Sequence, residues 1–261
     1  MCQTLNFMLS KSKIKLITSL SHKKYRDESE LFIAESTKLV LDLMPEMECA
    51  LLVATDDWLK INAKSLKADE IVEATESELR KISSQKTPQG VLAVFRKPNY
   101  TYNIDEIGTR LNLALDDVQD PGNLGTIIRI ADWFGIRDIF CSLHSADAFG
   151  AKTVQATMGA LARVRVHYVN LAEFLQQCTE QNLPIYGTFM NGENIYAEKS
   201  LSENGIIVMG NEGNGINPET EKYVSKRLLV PNFPQGKSTS ESLNVGIATA
   251  LVCAEFRRHC R

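Results

Sequence analysis

From about residue 106 to the C-terminus, short apolar runs alternate with stretches of helical period, and most runs end in loops rich in Gly, Pro or Asn. The strand-like runs lie at 111–115, 138–141, 163–168, 184–188, 206–209 and 227–230, with helical stretches at 124–134, 170–177 and 243–258 between or after them. Such alternation predicts an α/β domain in which helices cover both faces of a parallel sheet. Ligands in sheets of this kind bind beyond the carboxyl ends of the strands. The loops that follow Leu115, Met209 and Val230 are therefore the expected seat of chemistry.

The first hundred residues mix helical pieces (10–20, 35–43, 77–83) with β-rich ones (50–54, 90–95). Lys97-Pro98-Asn99-Tyr100 breaks the pattern, because proline disfavours helix at the residue before it. The expected division is a smaller α/β domain over 1–105 and the parallel-sheet domain over 106–261. A chain of 261 residues has room for both. No apolar run approaches the roughly 18–20 residues that span a bilayer, and the opening MCQTLNFMLSKSKIK does not read as an export signal. Cys2, Cys49, Cys141, Cys178, Cys253 and Cys260 are scattered, with no C-x-x-C pair and no histidine at ligand spacing. Reduced thiols, a cytoplasmic location and no metal site are the expectation.

A net charge of −3 argues against wholesale coating of nucleic acid. Its distribution is uneven: 10–26 holds Lys11, Lys13, Lys15, Lys23, Lys24 and Arg26 and no acidic residue. The run reads either as a patch that tracks a phosphate backbone or as a solvated helix face.

The first of the three loops is Asp116-Asp117-Val118-Gln119-Asp120-Pro121-Gly122-Asn123. On the helix after it, Leu124, Ile127, Ile128, Ala131 and Phe134 form one apolar stripe, with Arg129 well off it. Asn123 sits beside free backbone N–H groups, where it can hold a ligand oxygen or simply cap the helix. Both readings stand on this segment alone. In the second loop the strand 206–209 runs into Gly210-Asn211-Glu212-Gly213-Asn214-Gly215, a spacing of glycines that lets the backbone approach a ligand closely. Its order, G-x-x-G-x-G, does not fit the dinucleotide fingerprint G-x-G-x-x-G. The third loop, Pro231 to Ser238, ends in G-K-S, yet the first glycine of a phosphate-binding P-loop would fall at Pro231. Two prolines also remove donors that such a loop needs. Beyond it, Ser242-Leu243-Asn244-Val245 offers a hydroxyl and an amide at a helix start.

Together these segments resemble the SpoU (TrmH-type) family of RNA ribose 2′-O-methyltransferases. Asn123 and Arg129 match its N-x-x-x-x-x-R motif, Gly210–Gly215 its G-N-E-G-x-G motif, and Pro231 with Ser242-Leu243-Asn244-Val245 its P-x(n)-S-L-N-V motif. The likeness spans about 111–258. A fainter one covers the N-terminal part, through Lys13 to Leu20, Lys24-Tyr25-Arg26, Phe32-Ile33-Ala34-Glu35 and Pro88-Gln89-Gly90, and is with a small ribosomal-protein-like domain that presents RNA. The chain departs from the family pattern in a longer third loop, in Thr157-Met158-Gly159-Ala160 where serine is usual, and in Ser36 where glycine is common.

The resemblance implies a SPOUT fold with a deep trefoil knot, a homodimer with the active site near the subunit interface, and RNA, ribosomal or transfer, as substrate. It implies S-adenosylmethionine as cofactor, held by Thr188, Gly210, Val230 and Leu243. Activation of the 2′-hydroxyl falls to Arg129, helped by Asn123, Glu212, Ser242 and Asn244. Because a guanidinium is too basic to be a resting base, Arg129 is expected to clamp a phosphate and stabilise the developing alkoxide. The alternative is an RNA-binding module that keeps the fold without catalysis; all the motif residues are present.

Overall fold

The computed structural model describes residues 4–6, 9–234 and 242–258. The chain forms two compact units, the first of Met1–Asn99 with Asp147–Ala162, the second of Tyr100–Ala146 with Arg163–Arg261.

In the first unit the order is β1 (Thr4–Asn6), α1 (Lys11–Ser19), α2 (Lys23–Ser29), β2 (Leu31–Glu35), α3 (Thr37–Leu43), β3 (Cys49–Ala54), α4 (Asp56–Asn62), β4 (Ala68–Glu73), α5 (Glu76–Ile82) and β5 (Val91–Arg96). The five strands form a mixed sheet in the order β1-β4-β3-β5-β2. Ile17 and Leu20 from the α1 side and Leu79 and Ile82 from α5 are buried with Leu51, Val53, Val72, Leu92 and Val94 of the sheet. Ser10 caps α1, and a reciprocal capping box between Thr75 and Glu78 starts α5. α2, α4, β1, β2 and β4 were not expected from the sequence. α2 has a single apolar residue and so no period, whereas the apolar run of β2 is continuous and too short to be told from a buried helical piece.

The second unit begins with α6 (Ile104–Ile107), β6 (Leu111–Leu115), α7 (Pro121–Trp133) and β7 (Asp138–Ser142). The chain then leaves it for α8 (Ala151–Thr157), which belongs to the first unit. It returns with β8 (Arg165–Val169), α9 (Leu171–Glu180), β9 (Ile185–Asn194), β10 (Gly205–Met209), α10 (Pro218–Glu221), β11 (Lys226–Leu229) and α11 (Val245–Arg258). The six strands run in the order β11-β9-β10-β6-β7-β8, and every neighbouring pair is parallel. The α/β class with a parallel sheet is thus what the alternating pattern led one to expect. On one side Phe140 stacks on Phe174 at 3.9 Å between ring centres, among Leu175, Ile185, Ile206 and Val208. The predicted stripe of α7 is buried at Leu124, Ile127, Ile128 and Ala131. β8 starts two residues later than expected, because Arg163 is drawn into a two-pronged ion pair with Asp132 (2.7 and 2.9 Å).

Segment 147–162 is tied into the first unit by specific contacts. Phe149 packs on Phe32 at 5.0 Å between ring centres. Gly159, at φ +93°, lies so close to the Asp42 carboxylate that no Cβ fits between them. Asp147 accepts two hydrogen bonds from Arg26 (2.7 and 3.0 Å), whose remaining donors reach the carbonyls of Leu20 and Ser21. Arg26 is only 6% exposed. Arg26 is therefore an internal staple and no part of a surface patch. Lys13 pairs with Glu70, Lys23 with Asp27 and Lys24 with Glu28, while Lys11 and Lys15 are exposed and have no ion-pair partner among the described residues. Ser36 takes φ +94° and ψ 145°, a backbone shape that favours glycine, at the position where glycine is common in the family it resembles.

Candidate active site

The ends of β10 and β11 open onto one cavity, and the loop after β6 is bonded to the β10 loop at its edge. β6 ends in Asp116 and Asp117, which turn the chain into α7. Asp116 is buried, and its carboxylate accepts the Asn217 N–H at 2.8 Å, so the first loop fixes the far end of the second. Burial pushes the Asp116 carboxyl above the ordinary carboxylate range. Asp117, at φ +55°, is held by Ser142 through both its N–H and its carboxylate. Asp120 then caps α7 by accepting the Asn123 N–H at 2.8 Å, and Pro121 stands at the first turn, where no donor is needed.

β10 delivers Gly210 to Gly215. Asn211 and Gly215 exchange two backbone hydrogen bonds of 2.9 Å, closing a tight hairpin. A Cβ on Gly210 would collide with the Gly215 backbone, and Gly215 itself has φ +69°. The Asn211 side chain accepts from the N–H groups of Gly213 and Asn214 and donates to the carbonyl of Asp117. The loop is thus rigid before any ligand arrives, with Glu212 exposed at its tip.

The side-chain bonds among the three loops form a short relay. Asn244 donates to the Asn123 side-chain oxygen at 2.9 Å, and Asn123 donates to Glu212 at 2.5 Å. The other end of Asn244 caps α11 by accepting from Gly246 and Ile247. Asn244 therefore both caps a helix and binds across loops, whereas Asn123 is itself capped by Asp120 and its side chain serves only the cross-loop bonds. Of the two readings left open by the sequence, the cap falls to Asp120. Gly246 lies against Thr126, and Arg257 donates to the Phe134 carbonyl, so α7 and α11 run side by side in the same direction.

The cavity encloses about 540 Å³, within the range of small-molecule sites. Thr188, Gly210, Val230 and Leu243, the expected cofactor residues, all line it, together with Ser242 and Glu212. Asn123 and Asn244 join this group through the relay rather than through the lining. Arg129 stands apart: it is exposed on α7, beyond Asn123, and has no hydrogen bond or ion pair among the described residues. Residues 235–241, including the Gly236-Lys237-Ser238 decoy, lie outside the described residues. Sequence reasoning missed Phe189, Met190, Ile216 and Glu221 in the lining, since none belongs to a recognisable motif.

The lining holds no Lys or Arg among the described residues, but it holds Glu212 and Glu221. Such a surface does not suit a polyphosphate. Apolar walls, backbone groups at strand ends and carboxylates at the rim fit an adenosine that carries a positive charge. No group of His, Cys, Asp and Glu among the described residues could hold a metal ion. Burial pushes the thiols of Cys49, Cys178 and Cys253 up to about 12, as suits packing groups rather than nucleophiles.

The profile of the SpoU rRNA Methylase family matches residues 110–254, and that of an MRM3-like substrate binding domain matches 11–93. Among curated proteins, the Bacillus subtilis 23S rRNA (guanosine(2553)-2′-O)-methyltransferase is 29% identical over 94% of this chain and 96% of its own length. A solved TrmH-family structure from Porphyromonas gingivalis is 42% identical, superposes with a TM-score of 0.87, and covers 96% of this chain and 99% of its own. The adenosylmethionine-bound rRNA methyltransferase from Sinorhizobium meliloti is 28% identical with a TM-score of 0.85, over 99% and 98% of the two chains.

Proposed function

The chain belongs to the SpoU rRNA methylase family, and from that premise we propose which of its residues carry the reaction and which RNA it serves. It is an S-adenosylmethionine-dependent enzyme that methylates a ribose 2′-hydroxyl of RNA. The cofactor supplies a methyl group already activated on sulfonium, so the protein's task is to align the acceptor and ease loss of its proton.

In our reading Thr188, Gly210, Val230 and Leu243 hold the cofactor in the 540 Å³ cavity. Arg129 clamps the phosphate next to the target ribose and stabilises the alkoxide as the proton leaves. A guanidinium stays charged at neutral pH, which suits that role and not a base's. Asn244, Asn123 and Glu212 form the relay that orients the acceptor, and Ser242 offers its hydroxyl at the cavity's edge. The single observation that supports this assignment is a contrast among the motif residues: Asn123, Glu212 and Asn244 are bonded to one another, whereas the exposed Arg129 side chain makes no hydrogen bond or ion pair among the described residues.

Residues 1–105 present the RNA and 106–261 methylate it. Ribosomal RNA is favoured over transfer RNA, because the likeness to a 23S rRNA methyltransferase runs through both parts of the chain. The exposed side chains of Trp133 on α7 and of Ile247 and Leu251 on α11 support a homodimer built on this helix pair. The expected trefoil knot and a cytoplasmic location go with the same reading; no helix among the described residues is long and apolar enough to cross a membrane. Mapping 2′-O-methyl groups in total RNA from a deletion strain tests the substrate: a single missing mark in 23S rRNA is expected, and one missing from transfer RNA would overturn the choice.

A further inference from the structure

One wall of the cavity is built from an interruption in the sheet. β11 pairs Arg227 with Gly187, but its next residue, Leu228, pairs with Glu193. Residues 188–192 thus bulge out of the β9–β11 ladder, and the pairing of β9 with β10 also stops at Gly187. Glycine stands just before the bulge, at 187, and at its last residue, 192, for a steric reason. A Cβ on Gly187 would come within 2.6 Å of the Phe189 ring, and one on Gly192 within 2.5 Å of the Leu228 backbone. A loop of this kind has no ladder to hold its shape.

Arg227 supplies the missing restraint. Its guanidinium carbon lies 3.6 Å from the centre of the Phe189 ring, and it donates to the Asn191 side-chain oxygen at 2.7 Å. Its other terminal nitrogen donates to Glu221 of α10. One planar side chain therefore grips two of the five bulge residues and ties them to a helix. Phe189, Glu221 and Leu228 line the cavity, whereas Arg227 is absent from the lining. No motif carries Arg227, and the reaction described above gives it no part.

We propose that Arg227 is a positioning residue for adenosylmethionine: by bracing the 188–192 bulge, it sets the cavity wall and so the affinity for the cofactor. This rests on the reading that the cavity is the cofactor site. Loss of the brace lets Phe189 and Asn191 sample other positions, and ordering them again opposes binding. A three-point contact made by a planar fork is poorly replaced by an ammonium.

The test uses the full chain. Arg227→Ala should weaken adenosylmethionine binding by calorimetry about tenfold, the scale of one cation–π contact plus a hydrogen bond. In steady-state methyl transfer the change should fall on KM for adenosylmethionine, with kcat within about twofold. Arg227→Lys should recover part of the loss, and Asn191→Ala, which cuts one tie and leaves the ring covered, should weaken binding by a few-fold. If Arg227→Ala lowers thermal stability and kcat together with KM unmoved, the residue is merely structural and the proposal fails. If Arg227→Ala does not fold, Asn191→Ala decides: unchanged affinity overturns the proposal. Gly210→Ala separates the two readings. Normal adenosylmethionine affinity in that variant sinks the cofactor-site assignment itself, whereas lost affinity there beside normal affinity in Arg227→Ala sinks only the brace.

Discussion

Arg26 in the first unit and Arg129 in the second are both helix arginines that sequence reasoning set aside for RNA, and their surroundings are opposite. Arg26 is buried, with its donors placed on Asp147 and two backbone carbonyls. The Arg129 side chain is exposed and unbonded among the described residues, off a stripe that is buried at Leu124, Ile127, Ile128 and Ala131 and half-buried at Phe134. A positive charge is useful to a ligand only when the protein has not already satisfied it. Net charge and charge runs count both arginines alike; hydrogen-bond accounting tells them apart.

The sharpest way to break the comparison is Arg129→Ala. Off the buried stripe, it should leave fold and adenosylmethionine affinity unchanged and reduce methyl transfer by on the order of 10²–10⁴. Activity within a few-fold of wild type, in labelled transfer to RNA from a deletion strain, would make Arg129 a surface residue. Arg26→Met should do the reverse. Removing one partner of a buried ion pair strands Asp147 and should lower unfolding stability by about 3 kcal/mol in a denaturant titration. The salt dependence of RNA binding by the folded fraction should not change, and a flatter slope would return Arg26 to the RNA surface.

Two smaller effects sharpen the same contrast among the lysines. Lys11 and Lys15, exposed and unpaired among the described residues, should together reduce the log–log salt slope of RNA binding by roughly 1.4–1.8 when changed to Ala. Lys23→Ala with Lys24→Ala should do much less, because Asp27 and Glu28 already lie one turn on. Equal slopes for the two double variants would mean that these surface ion pairs open freely to phosphate, as weak exposed pairs can.

What was legible in the sequence followed from period and from turn chemistry. The stripe of α7 and the six parallel strands are written in apolar spacing, and the glycines of 210–215 mark a loop that needs close backbone approach, which the structure shows between Gly210 and Gly215 rather than toward a ligand. The reading of 10–26 as free of acid was true of that window and misleading at its edge, since Asp27 and Glu28 begin immediately after it. Other features depend on partners far along the chain. Nothing near Arg26 points to Asp147, and nothing near Arg227 shows that its neighbour on β11 skips five residues of β9. Ser36 is an intermediate case. Its departure from the family's usual glycine was visible, but only the backbone angle shows that the departure carries strain, so Ser36→Gly should raise stability by about 1 kcal/mol in thermal or denaturant unfolding.

The return of 147–162 to the first unit also sets an order of events during synthesis. A nascent chain that has emerged as far as Asn99 has every strand of its first sheet, and Phe32 has Phe95 beside it, yet Arg26 still lacks its carboxylate and Phe32 the second of its aromatic neighbours, Phe149. At about 5–20 residues per second, the ribosome needs roughly another 3–13 s to add the segment that supplies them. For that interval a guanidinium without its carboxylate and a phenylalanine without the Phe149 ring wait in an otherwise assembled fold. The N-terminal part is therefore completed by the enzyme half of the chain, and a version cut at residue 105 would hold that unfinished state permanently.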